Sequence, residues 1–363
     1  MSRFTPPRRG RFVLGAAAAL AILAGPAAAG AMAAPGALYT QTNDPTGNVV
    51  QKFDRDARGE LTPAGTFSTG GAGLAALGGR QGAVELSGDE SAVYAVNAGS
   101  DTVSAFRVTR GGLELSDVAG SGGSAPASVD EHHDRVYVLN SGGTPNVTAF
   151  RARRDGSLER IEGGRRDLPG ALGAAQVSVA PDGSALVVSE RLSNRLETLP
   201  LDRAGRPGAP VITVSSGTVP FGFAFGHRGD VIVSEAGRST VSSYRLGSGG
   251  LETITASLRV GFGAACWVAV SPNGKLAYTG NASGSISGFA IGTDGSLSSL
   301  GTVPVPSPRE VDFSRNGRFL YAVSPGNAAT GGRVTGYRVG DDGSLEQITS
   351  VPAAAGLTGA VAG

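Results

Sequence analysis

Cysteine is almost absent from this chain: Cys266 is the only one in 363 residues. A lone thiol excludes an internal disulfide, even in an oxidising compartment. Histidine is nearly as scarce, with three copies. Scattered as His132, His133 and His227, they make no metal-ligand spacing, so no metal is expected. Charge of one sign is also missing, since 31 basic residues face 30 acidic ones for a net +1. There is no basic stripe with interleaved aromatics, which argues against nucleic acid as a partner. No segment beyond residue 34 carries a convincing helical period. The one long apolar stretch, 12–23, is short for a membrane span.

Glycine, by contrast, is abundant at 58 residues, and it falls in a pattern. Turn glycines Gly183, Gly229, Gly274 and Gly317 stand 46, 45 and 43 residues apart. Leucines recur in the same frame at Leu61, Leu113, Leu158, Leu251, Leu297 and Leu345, with Gly208-Ala209-Pro210 replacing one. Each period reads as four short strands. Val, Tyr, Ile and Phe alternate with small or polar residues, as half-buried strands require. Pro181-Asp182-Gly183 and Pro272-Asn273-Gly274 supply tight turns between them. A four-stranded unit at this period predicts an all-β fold, a seven-bladed propeller of antiparallel blades.

Seven second strands are legible, from Ala37-Leu38-Tyr39 to Leu320-Tyr321-Ala322, but only six first strands. The missing one is expected from the C-terminal segment 356–363. It would pair beside the strand at Ala37, close the ring and hide a sheet edge.

The first 34 residues have a different character. Arg3, Arg8, Arg9 and Arg11 precede the apolar stretch, and small residues follow, including Ala27-Ala28-Ala29. This is the plan of a secretory signal. The expected organisation is a signal peptide over 1–34 and one propeller over 35–363. The protein is expected to be secreted or periplasmic, monomeric, without a membrane span after cleavage and without a cofactor. Its partner would be a small-molecule ligand or an extracellular protein.

Aligning the copies shows where the ring departs from its own pattern. The ends of the second strands read Thr42, Asn97, Asn140, Glu190, Glu235, Asn281 and Ser324. Glu190 and Glu235 are the two carboxylates, in neighbouring blades. Two carboxylates facing one funnel can bind a polar ligand or act as acid and base; paired to arginines such as Arg191, Arg195 or Arg238, they would only stabilise. First strands open on small residues, except for Gln176, Phe221, Trp267, Arg309 and Glu310. These predict a site at the channel mouth. Glu190, Glu235 and Arg309 are the catalytic candidates, and Gln176, Phe221, Trp267 and Glu310 the ligand-binding ones. Cys266 reads as a small buried residue, and His132-His133 as a solvent-facing turn.

The blocks Val177–Glu190 and Val268–Asn281, each followed by a turn such as Asp294-Gly295-Ser296-Leu297, resemble the lactonase-type seven-bladed propellers. That family includes 6-phosphogluconolactonases and carboxymuconate-cyclising enzymes, and the resemblance covers nearly the whole chain beyond residue 34. It implies catalytic motifs that this chain keeps only in part. Gly173-Ala174-Ala175 stands at the His-Pro-His-type entry, and Val219-Pro220-Phe221-Gly222 at the Gly-Pro-Arg-His motif. Pro308-Arg309-Glu310 keeps the Pro-Arg motif, and Glu190 keeps the acidic position. With both imidazoles missing, the expectation is an exported propeller that binds a ligand or partner. The alternative is a hydrolase or lyase acting on a small lactone or sugar acid through a rearranged acidic site.

Overall fold

The computed structural model describes residues 35–363 apart from 75–80, His227 and Phe262. The leader over 1–34 and the turn position of His227 therefore lie outside the described residues. Among these residues 28 strands form seven four-stranded antiparallel sheets. Blade 1 combines 36–68 with the C-terminal strand Thr358–Ala362. Blades 2 to 7 follow in order over 84–120, 124–167, 174–214, 220–259, 265–304 and 310–353. Within each blade the strands run from inner to outer, and the inner strand of blade 1 is the C-terminal one.

The closure is built as expected. Leu38 pairs with Ala362 and Tyr39 with Val361 across the two ends of the chain. Side chains from blades 1 and 7 hold the strand. The Thr40 hydroxyl donates to the Gly359 carbonyl at 2.7 Å, and Arg55 donates to the Gly363 carbonyl at 3.0 Å. The Asp312 carboxylate accepts from the Ala362 N–H at 2.8 Å.

The alternating apolar residues pack between blades, not within them. Each core cluster draws on two neighbouring blades, such as Ile232 and Val241 of blade 5 with Val268, Ala277 and Phe289 of blade 6. The recurring leucine that opens the outer strand joins these clusters, as Leu251 joins Val187 and Leu196 of the preceding blade. Blades thus adhere through apolar area, worth roughly 25 cal/mol per Å2 buried. Blade 4, which lacks that leucine, has the shortest described outer strand, Val211–Val214.

Candidate functional site: an acid-lined axial cavity

The inner strands surround an axial channel. Gln81, just before the inner strand of blade 2, reaches across it. Its amide donates to the carbonyls of Phe223 at 3.1 Å and Val268 at 2.7 Å, and accepts from the Val268 N–H at 3.0 Å. Phe223 and Val268 belong to blades 5 and 6, on the opposite side of the ring. Gln176 of blade 4 adds a two-way bond to Phe223, donating at 2.9 Å and accepting at 2.7 Å. These two amides form a floor across the channel. Gly222 makes room for it: a β-carbon there would sit 2.2 Å from Gln81 Oε1 and 2.5 Å from the Trp267 ring.

A cavity of about 410 Å3 extends from this floor toward the turns that join inner to second strands, with His132, Pro272 and Arg315 among its lining. One inner-strand position per blade faces it. Paired opposite second-strand residues at matching register, these are Val361, Glu85, Asp130, Ser178, Ala224, Ala269 and Asp312. All seven line the cavity. Three acids, Asp312, Glu85 and Asp130, occupy one side, interrupted only by Val361. The other side is small.

Burial dominates the electrostatics of these acids. Desolvation pushes the Asp312 carboxyl up to about 7, against the Ala362 N–H, which favours its charged form. Desolvation likewise pushes Glu131 up to about 7, with Asp130 adding to the rise. Asp130 is raised by burial, although it accepts from the Ser178 hydroxyl at 2.6 Å and the Val179 N–H at 2.7 Å. Glu85 is raised well above the usual range by burial, then by Asp130 and Asp312. Among the described residues one arginine, Arg315, lines the cavity, and it is committed at the rim. It pairs with Glu90 at 2.8 Å and donates to the carbonyls of Ser87 and Gly88. The result is an acid-lined cup in which Asp312 and Glu131 exchange protons near neutrality. Among the described residues no group of three or more His, Cys, Asp or Glu is arranged to hold a metal ion.

The residues expected to form one site are distributed over several. Gln176 and Glu310 line the axial cavity, and both are buried. Phe221 and Trp267 pack at 4.4 Å between ring centroids near the strand entries, with the Arg191 guanidinium 5.1 Å from the Phe221 centroid. Arg309 is exposed, and its N–H bonds the Val323 carbonyl. Cys266 is only partly buried, and its thiol, raised by burial, donates to the Ala264 carbonyl.

Glu190 and Glu235 are fully buried, each within its own blade. Glu190 accepts from Arg195 Nε at 2.8 Å and from the Ser193 hydroxyl. The same guanidinium lies 2.9 Å from Glu197. One cation faces two buried carboxyls, and burial with the Glu190 charge pushes Glu197 up to about 8. Glu235 has neutral donors instead: the Gly217 N–H at 2.7 Å and the hydroxyls of Thr240 at 2.6 Å, Ser242 at 2.7 Å and Ser215 at 3.1 Å. Asparagines make the same clasp elsewhere. Asn97 reaches Thr102 and Ser104, and Asn281 reaches Ser285 and Ser287. The two glutamates thus occupy a strand-joining position of the repeat.

Glu85, Asp130 and Asp312 were legible in principle, since aligning the far ends of the inner strands brings them together. They do not show at the near ends, where the strands open. Gln81 has no such signal, because it precedes a strand and acts across the ring. The turn expected at His132-His133 begins at His133; His132 ends the inner strand of blade 3, is half-buried and borders the cavity.

Comparison with known proteins agrees with this architecture. The family described as lactonase, seven-bladed β-propeller, matches residues 83–270 and 276–360. No curated protein matched the chain. Among solved structures, the periplasmic gluconolactonase PpgL of Pseudomonas aeruginosa superposes with a TM-score of 0.74 at 18% identity, covering 90% of this chain and 99% of that one. A Bacteroides fragilis protein assigned as a 6-phosphogluconolactonase gives 0.72 at 18% identity, over 91% and 98%. A hypothetical selenium-binding protein of Sulfolobus tokodaii gives 0.64 at 12% identity, over 90% and 92%. At such identities these likenesses establish the fold and no more. The family match covers well over half of the sequence, and the chain belongs to the lactonase family of seven-bladed β-propellers.

Proposed function

We propose that this protein is an exported binding propeller that takes a small, donor-rich, non-anionic ligand in the axial cavity, and that it does not hydrolyse 6-phosphogluconolactone. The observation that carries this reading is the charge of the cup. Glu85, Asp130, Glu131 and Asp312 line about 410 Å3, and the only arginine lining it among the described residues is already engaged. A phosphorylated or carboxylated substrate would meet repulsion. An amino sugar or polyol would meet acceptors on one side and amides from Gln176 and Gln81 at the floor. Pockets of this size with convergent polar groups and shifted carboxyls are the usual places for ligands.

The entry side supports the negative half of the reading. Gly173, Ala175, Phe221 and Gly222 stand where the family's histidine and arginine motifs would supply proton transfer and anion grip. Export rests on the basic, apolar and small-residue order of 1–34. The periplasmic description of the Pseudomonas aeruginosa relative is in keeping with it. No helix among the described residues is long and apolar enough to cross a membrane.

A second reading is a hydrolase or lyase with a rearranged acidic site. Carboxyls held at about 7, as for Asp312 and Glu131, favour it, because that is the poise of a general acid or base. One experiment addresses both readings. The purified protein is exposed to sugars, amino sugars, lactones and phosphorylated sugar acids, reading turnover and thermal shift together. Stabilisation by non-anionic members without turnover supports binding; lactone hydrolysis that is lost in Asp312→Asn supports the second reading.

A further inference from the structure

Five of the seven second strands carry tyrosine at one register position: Tyr39, Tyr94, Tyr137, Tyr278 and Tyr321. These rings pack between blades and can reach the turn before the next blade's outer strand. The Tyr278 hydroxyl donates to the Gly343 carbonyl at 2.8 Å, and the Tyr321 hydroxyl to the Gly59 carbonyl at 2.9 Å. Each of those glycines stands two residues before the leucine that opens the outer strand.

Blades 4 and 5 have Val187 and Ile232 at the tyrosine position. Beside Ile232 the space is taken, since the turn glycine Gly295 lies against Ile254 and Asp230. Val187 is itself buried against Val231, Tyr244 and Leu251 of blade 5, and open space lies beyond it in the same cleft. At the matching turn of blade 5, Gly249 has no heavy atom within 4 Å of an added β-carbon, while Gly250 meets Val211 and Thr213 of blade 4. A cavity of about 600 Å3 lies between blades 4 and 5, lined by Ala185, Pro200, Val211 and Leu246. The corresponding cavities, where Tyr94 and Tyr278 line the wall, measure about 380 and 310 Å3.

One polar group marks the inside of this cavity. Thr198, directly opposite Val187 in the sheet, is 4% exposed and lines the space. Its hydroxyl has no hydrogen-bond partner among the described residues. A buried hydroxyl is costly to leave unbonded, and one such group among apolar side chains, with the exposed Asp182, Ser184, Arg228 and Ser248 also lining the space, is the build of a small-molecule pocket.

We propose that the cleft between blades 4 and 5 is a second binding site, for a small phenol. The ring would occupy the space that tyrosine fills in the other blades, and the phenolic hydroxyl would bond Thr198. This site is independent of the axial cavity and stands or falls without it.

The test uses 4-methylphenol, the tyrosine side chain as a free molecule, with toluene as the control lacking the hydroxyl. Saturable binding to the full chain is followed by ligand-observed NMR. Thr198→Val keeps shape and removes the hydroxyl, and should weaken 4-methylphenol about five- to tenfold while leaving toluene unchanged. Val187→Tyr restores the missing ring and should abolish binding of both. Asp130→Asn, in the axial cavity, should change neither. No saturable binding of 4-methylphenol to its solubility limit overturns the proposal. Equal affinity in the wild type and Thr198→Val overturns it too, so the outcome does not depend on Val187→Tyr folding.

Discussion

The Asp312 carboxylate, on the wall of the axial cavity, accepts a hydrogen bond from the backbone N–H of Ala362 at 2.8 Å. The cavity and the ring closure therefore share a side chain. Whatever changes the charge on Asp312 acts at the seam where the two ends of the chain meet.

Removing the C-terminal strand tests the closure. Truncation before Ala355 deletes Thr358–Ala362 and exposes the pairing edge of Gly36–Gln41. It also removes Leu357 and Ala362 from the core between blades 7 and 1. The truncated protein is expected to melt at least about 10 °C lower, or to aggregate through its new edge. Differential scanning calorimetry of both forms checks this; coincident melting curves would contradict it.

Stability should depend on pH through the cavity acids. Asp312 and Glu131 titrate at about 7 in the folded protein, above their values of 3.8 and 4.5 in the free state. Between those limits the folded state binds more protons than the unfolded one, so stability falls as pH rises. The melting temperature should be higher near pH 5.5 than near pH 8. Asp312→Asn keeps an acceptor for the Ala362 N–H and removes the titration. It should stabilise the protein at pH 8 by about 1–2 kcal/mol, after allowance for water in the cavity, and flatten the profile. A wild-type profile that rises with pH over this range would count against the assignment.

The fold was readable because the repeat states it many times over. Turn glycines, opening leucines and second-strand tyrosines each recur in register, so errors in one copy are corrected by the others. Even the split blade followed from a count of six first strands against seven second strands. The site was less readable, because a site is where copies stop agreeing. Glu190 and Glu235 stood out for differing from asparagine, yet they make the asparagine's clasp with a carboxylate. Gln81 stood in no pattern, and its role depends on a partner 187 residues away. Sequence alignment of blades shows which positions are equivalent. It does not show which side chain crosses the axis.

The clasp reading of the two glutamates is itself testable. Arg195→Ala leaves Glu190 and Glu197 buried without their cation, and should cost about 3 kcal/mol or more in chemical denaturation. Glu190→Gln with Glu235→Gln should lower the melting temperature and leave any ligand affinity intact. If affinity collapses while the melting temperature holds, these carboxylates belong to the site after all.

Gly222 tests the amide floor. In Gly222→Ala the new methyl group meets Gln81, the Trp267 ring and the Cys266 carbonyl. Gln81 must move, so its bonds to blades 5 and 6 weaken. A loss of about 1–3 kcal/mol is expected, as for other overpacked interiors, with faster amide exchange at Val268, whose N–H bonds Gln81. An unchanged protection pattern would show that the floor is not held by this close approach.

The charge of the cup should decide which class of ligand the axial cavity takes. The most direct measurement is the thermal shift of the wild type and Asp130→Asn at pH 8 against matched amino sugars, neutral sugars and phosphorylated sugar acids. Amino sugars should stabilise the wild type, phosphorylated acids should not, and the shift should shrink in Asp130→Asn. Stabilisation greatest with phosphorylated acids and unaffected by Asp130→Asn would contradict it.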